Sequence, residues 1–258
     1  MLKLKSLLSV AAVATILFST SAFAFVGTKK KQATFTVRIE NIAASELESA
    51  DGAKYPFALS PGLFIVNHKK QYFFDEGKKA AMALELQAED GNPESLFKKL
   101  LTKVGGIYMG VFNTPVGAEK PGPLLPGGSY EFSFNAEEGM KLNLIAMFGQ
   151  SNDLFYSPKS AVDLFDKAGN PLTGDITSSL LLWDAGTEVN QAPGVGDEQA
   201  PRQKMANTGK AENGVVGSVK DGFSYPETKN VLRVTITSGD SASITQVSSP
   251  QFQVKSGN

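Results

Sequence analysis

At 258 residues, 41% of them hydrophobic and 20% charged, the chain is long enough to bury one large core or two small ones. Its formal charge of −1 leaves no electrostatic footprint for nucleic acid, and the one basic run, Lys29-Lys30-Lys31, reads as a solvated tail. With no cysteine and a single histidine, His68, the sequence excludes a disulfide framework, Cys/His catalysis and the usual zinc sites.

The chain opens on an export pattern. Lys3 and Lys5 form a basic n-region, LLSVAAVATILF (7–18) an apolar h-region, and Ala22-Phe23-Ala24 the small residues that a signal peptidase reads. This predicts a secretory signal at 1–24, cleaved after Ala24, and one exported domain over 25–258, in the periplasm or the medium. The apolar run falls well short of the ~20 residues a membrane-spanning helix needs. No cysteine follows it to carry a lipid anchor. Two lysines leave with the signal, taking the charge from −1 to −3.

ATFTVRIENI (33–42) comes next, with Phe35, Val37 and Ile39 on one face and Thr36, Arg38 and Glu40 on the other. Period two over this length predicts a half-buried strand. LFIV (63–66) is a shorter apolar strand leading to His68. Helix is predicted in one region. GKKAAMALELQAEDG (77–91) is rich in Ala, and Asn92-Pro93-Glu94 supplies an N-cap acceptor, a proline and an acid for the first turn of a second helix. Leu96, Phe97, Leu100, Leu101 and Val104 recur at helical spacing until Gly105. SYEFSF (129–134), KLNLIAMFG (141–149), VLRVTIT (231–237), SITQV (243–247) and QFQVK (251–255) are further strand candidates. Alternating strands between Gly/Pro/Asn clusters predict a mainly β chain, an antiparallel sandwich or barrel, with the two helices capping one end.

Residues 185–226 stand apart: Gly, Pro, Asn and Gln are frequent, and only 215–219 and 223–225 read as short strands. A loop this long is uncommon unless functional or disordered. Lacking a disulfide, it calls for another tie, and a metal clip is the natural one.

Carboxylates supply the candidate ligands. SNDLF (151–155) follows a strand, so Asp153 sits where sheet gives way to loop. SSLLLWDAGTEVN (178–190) repeats the arrangement with Asp184 and Glu188. If both strands exit at one end of the sheet, three acids converge there, and hard oxygen donors without His or Cys suit calcium. The alternative is that Asp153 is a turn residue and the other two are solvated loop acids. Asp163, Asp166, Asn170 and Asp175 do not keep the spacing of a helix-loop-helix calcium loop, and Gly169-Asn170-Pro171 reads as a turn. His68 reads as a packing or hydrogen-bonding residue. No Gly-x-Ser-x-Gly elbow is present, and Gly194-Val195-Gly196 opens no helix. Asp184 and Glu188 could also form the acid pair of a glycosidase. Tyr72-Phe73-Phe74 and Phe155-Tyr156 are either core or a face for sugar rings or lipid.

Taken in order, FTVRIENI (35–42), SPGLFIVNH (60–68), LQAEDG (86–91), PGPLLPGGSYEFSF (121–134), SNDLF, LLWDAGTEVN (181–190), PRQ (201–203) and DGFSYP (221–226) resemble the spondin N-terminal domain of single-domain bacterial secreted proteins. The tract Trp-Asp-Ala-Gly-Thr-acid at 183–188 carries the most specific part of the likeness. The resemblance implies a C2-like β-sandwich with one structural calcium ion on Asp153, Asp184 and Glu188. It also implies a non-enzymatic adhesion or binding module whose partner is an extracellular or envelope protein, a glycan or a lipid headgroup. Two departures stand out: the animal proteins have Asp where Glu188 stands, and their cysteines are missing here. A C2-like calcium-dependent lipid-surface binder and an envelope-polysaccharide hydrolase are the competing expectations.

Overall fold

The computed structural model of the chain describes residues 30–50, 52–68, 73–102 and 108–239. The predicted signal segment, Tyr72, Val104, Gly105 and the strand candidates at 243–247 and 251–255 lie outside the described residues. The first half of the chain forms β1 (Gln32–Asn41), β2 (Leu47–Glu48), β3 (Lys54–Tyr55), β4 (Leu59–Asn67), α1 (Met82–Asp90), α2 (Glu94–Leu101) and β5 (Tyr108–Phe112). Next come β6 (Ser129–Glu137), β7 (Lys141–Phe148), β8 (Leu154–Pro158), β9 (Val162–Asp163), β10 (Gly174–Asp175) and β11 (Leu180–Asp184). β12 (Gly217–Ser218), α3 (Thr228–Val231) and β13 (Leu232–Gly239) complete the described chain.

The fold is mainly β, built of antiparallel sheets with short helices. One sheet runs β10-β13-β1-β6, a larger one β12-β11-β8-β7-β4-β5 with β9 beside β7, and β2 and β3 pair as a separate two-stranded sheet. In β1 the predicted alternation is kept: Phe35, Val37 and Ile39 are fully buried, while Arg38 and Glu40 face outward beside Glu131 and Arg233. These apolar residues meet Phe64 and Val66 of β4 and Leu142, Leu144 and Ala146 of β7 in one core between the sheets. Phe64 stacks on Phe132 with ring centroids 4.2 Å apart, joining the two layers at their centre.

A second core lies on the other side of the larger sheet. Leu63 and Ile65 of β4, Ile145 of β7 and Trp183 of β11 bury there against Leu84 and Ala88 of α1 and Leu96 and Leu100 of α2. The helices therefore cover an outer sheet face and do not cap an end of the sandwich. This explains why LFIV (63–66) and LIAMF (144–148) read as continuous apolar runs: strands buried on both faces have no polar side to alternate with. Asn92 Oδ1 accepts the Glu94 N–H at 3.0 Å and opens α2, as the sequence predicts. Gly91 ends α1 in the left-handed region at φ 62°, and a Cβ there would come within 2.5 Å of Ser60 Cβ.

Phe73, Phe155 and Tyr156 are buried and Phe74 packs on Trp183, so these four candidate aromatics belong to the core. His68 Nδ1 lies 3.1 Å from Gly139 O, holding a turn. Asp166 Oδ1 accepts the N–H groups of Ala168 and Asn170, the turn expected around Gly169.

Candidate metal centre

The turn between β7 and β8 is built from polar residues that are buried. Ser151 Oγ donates to Phe148 O at 2.6 Å and accepts the Leu154 N–H at 3.1 Å, closing the turn with Asn152 and Asp153 inside it. β8 then pairs antiparallel with β11 in a register that sets Leu154 opposite Asp184. The end of one strand is thus beside the start of the other, which brings Asp153 next to Asp184 although 31 positions separate them. The Ala185 N–H donates to Asp153 O at 3.2 Å and seals that corner.

Beyond Asp184 the chain folds back on itself. Gly214 N–H donates to Gly186 O at 2.7 Å, Glu212 N–H to Thr187 O at 2.9 Å, and Val189 N–H to Lys210 O at 2.8 Å. This short ladder carries Glu212 back over the strand end. Gly186 has φ 68°, and a Cβ on it would lie 2.6 Å from Val215 N, so the turn demands glycine.

Asp153, Asp184 and Glu212 each offer a carboxylate oxygen within 4.8 Å of the others. This group could hold a metal ion. Asp153 is fully buried, Asp184 half-buried and Glu212 exposed, so the group runs from the core to the surface. Asp153 Oδ2 accepts three hydrogen bonds: from the Thr187 N–H at 2.7 Å, the Thr187 hydroxyl at 3.1 Å and the Glu188 N–H at 3.1 Å. Its Oδ1 is buried with no hydrogen-bond partner. Asp184 Oδ1 accepts the Gly186 N–H, and its Oδ2 accepts the Asn190 amide at 2.8 Å. Asn190 keeps its own buried Oδ1 unpartnered. Orphaned buried oxygens beside two more carboxylates are the donor pattern of a hard cation.

Electrostatics point the same way. Burial, then the Asp184 carboxylate, push Asp153 up from 3.8 to about 7. Burial raises Asp184 to about 6, with Glu212 and Asp221 adding repulsion against the Gly186 and Asn190 hydrogen bonds. Beneath the site, Glu89 of α1 is 2% exposed and is pushed to about 8, first by burial and then by Glu188, Glu85 and Asp153. The region resists carrying its full negative charge.

Of the three residues expected from sequence, the structure brings Asp153 and Asp184 together and places the Glu188 carboxylate elsewhere. Glu188 is buried; its Oε1 accepts the Gly209 N–H at 2.8 Å and its Oε2 faces the Asn152 amide at 3.4 Å. Its backbone N–H donates to Asp153 Oδ2 at 3.1 Å. The third member of the group, Glu212, was missed because it lies in KAENG (210–214), where no periodicity marks a face. Asn213-Gly214 behind it, with Asn213 at φ 64°, is a turn signal that could have pointed there.

Side-chain amides fasten the rest of the long loop. Gln191 N–H donates to Asn152 Oδ1, the fully buried Gln199 donates to Ala192 O at 2.9 Å, and Arg202 reaches Gly196 O and Gln150 Oε1. Gln203 donates to Asp90 Oδ1 at 2.9 Å and ties the loop to α1. The sequence matches no model of a known protein family and no curated protein.

Proposed function

We propose that this chain is an exported, non-enzymatic binding module whose long loop is held by one structural calcium ion. The observation that carries the reading is the buried, unpartnered Oδ1 of Asp153, flanked by Asp184 and Glu212. Carboxylate donors favour a hard cation, and calcium, with 6–8 oxygens in flexible geometry, tolerates a site assembled from a sheet corner and a surface loop. Asp153, Asp184 and Glu212 would hold the ion. Glu188 would position Asp153 through its N–H and fix Gly209 with its carboxylate. When bound, the ion supplies the charge that lets three crowded acids stay ionised, and it pins 185–214 to the sheet. The resemblance to the spondin N-terminal domain supports the same reading, and the signal pattern at 1–24 supports export.

The test is thermal unfolding in chelator and in calcium. At a hundredfold excess over Kd the ion contributes ~2.7 kcal/mol. For a domain of this size that is a rise in Tm of about 5–10 °C. Asp184→Ala should erase the rise. A melt indifferent to calcium, with no heat of binding by calorimetry, would sink the proposal.

A further inference from the structure

Asp184 and Glu212 belong both to the acidic group and to the wall of an open cleft of about 730 Å³. That volume lies in the ordinary range for small-ligand sites, ~300–1,000 Å³. Its remaining walls are mixed. Val215 and Phe223 are half-exposed apolar surface, and Glu76, Asp221 and Lys220 supply polar groups around them.

Phe223 is held in place. Asp221 Oδ1 accepts the Phe223 N–H at 2.9 Å, and Asp221 Oδ2 accepts the Tyr225 hydroxyl at 2.5 Å. The Tyr225 ring in turn packs edge-on against Phe148 of the core, 6.2 Å between centroids. A 40% exposed aromatic fixed on a rigid turn at the lip of a cleft is a pre-organised contact surface.

The chemistry of the occupant follows from charge and hydrogen-bonding capacity. Three protein carboxylates leave a calcium ion several positions short of its 6–8 oxygens, and because Asp184 and Glu212 also line the cleft, an occupant of the cleft lies beside an ion held by them. Whatever completes the shell must offer oxygen, which excludes lysine and arginine side chains. Glu76 is paired with Lys159 at 2.9 Å; even with the ion bound, the four carboxylates of Asp153, Asp184, Glu212 and Asp221 outnumber the three charges of the ion and Lys220. That surplus of negative charge favours a neutral oxygen donor over a phosphate, sulfate or carboxylate. A hydroxyl is neutral, gives its lone pair to the cation, and donates its proton to a neighbouring carboxylate; a carbonyl cannot do the last.

We infer that the cleft binds a neutral glycan, two adjacent hydroxyls of one sugar completing the calcium shell while the apolar face of a ring lies on Phe223. The inference rests on the calcium reading above. It is tested with the whole exported chain on an array of neutral, sulfated and uronic-acid glycans, using mannan as the soluble probe. Retention on neutral glycans is expected in calcium, with release by chelator. Phe223→Ala should weaken retention tenfold or more with the calcium-dependent rise in Tm intact, and Asp184→Ala should abolish both. A full calcium rise in Tm with no retention on any neutral glycan, or retention on the anionic glycans alone, overturns the glycan inference and leaves the ion in place. Retention that survives chelator overturns the ion-bridged geometry. No calcium effect on Tm overturns both readings together.

Discussion

Replacing Asp153 with Asn separates the charge of this residue from its shape. In the ion-free protein the carboxyl is pushed from 3.8 to about 7 by burial and by Asp184. A folded-state value above the unfolded one means that the native chain holds the proton more tightly. Stability from this group is therefore full below the unfolded value and is lost as pH rises toward 7. Each unit is 1.36 kcal/mol, so at pH 8 the ionised Asp153 costs the ion-free protein about 4 kcal/mol. Asn keeps an oxygen for Thr187 and Glu188 and can set its amide toward Asp184. In chelator at pH 8 the Asp153→Asn protein should be more stable than wild type by about 2–4 kcal/mol, allowing for imperfect amide geometry. At pH 5 the gap should fall below about 2 kcal/mol, and near pH 4 it should vanish. Calcium should stabilise wild type and leave the variant unchanged. Urea unfolding followed by tryptophan fluorescence reads all of this, because Trp183 lies one residue before Asp184 in the second core. A variant less stable than wild type at pH 8 in chelator would refute the reasoning, for the carboxylate would then be a satisfied structural group.

The remaining expectations concern the same neighbourhood and its supports. Glu212→Gln should weaken calcium binding about tenfold or more by calorimetry, since it removes one of three ligating charges. Glu188→Gln should change affinity much less and cost about 1–2 kcal/mol of stability, because it weakens a charge-assisted bond to the Gly209 N–H. Calcium affinity should fall steeply as pH drops from about 7 to 6, where protons reclaim Asp153 and then Asp184; a flat profile over that window would contradict the assigned ligands. Gly91→Ala should destabilise by about 2 kcal/mol or more through left-handed strain and the clash with Ser60, measured by denaturant unfolding.

The three long strands of the four-stranded sheet, β1, β6 and β13, were legible because that sheet buries one face. Phe35, Val37 and Ile39 must alternate with Arg38 and Glu40 when water lies on one side and a core on the other. The turn at Gly169 and the opening of α2 at Asn92 were legible because a few adjacent residues decide them. Asp153 and Asp184 could be picked out as acids at strand ends, and the structure brings both into the acidic group. What the sequence could not supply was the pairing of β8 with β11, which turns two distant strand ends into neighbours. Nor could it place α1 and α2 over Leu63, Ile65 and Ile145, since a run buried on both faces has no period to say what covers it. Glu212, and not the expected Glu188, joins Asp153 and Asp184 in that group for a related reason. In a loop without periodicity, a side chain's direction is set by which backbone it crosses, and Gly209 and Thr187 meet those two residues only when the loop closes. Composition and local pattern thus determined a cysteine-free, mainly β chain with acids at its strand ends. Antiparallel register and the closure of 185–214 decided which acids meet, because carboxylates that repel are brought together only by a tertiary fold that stabilises their backbones elsewhere.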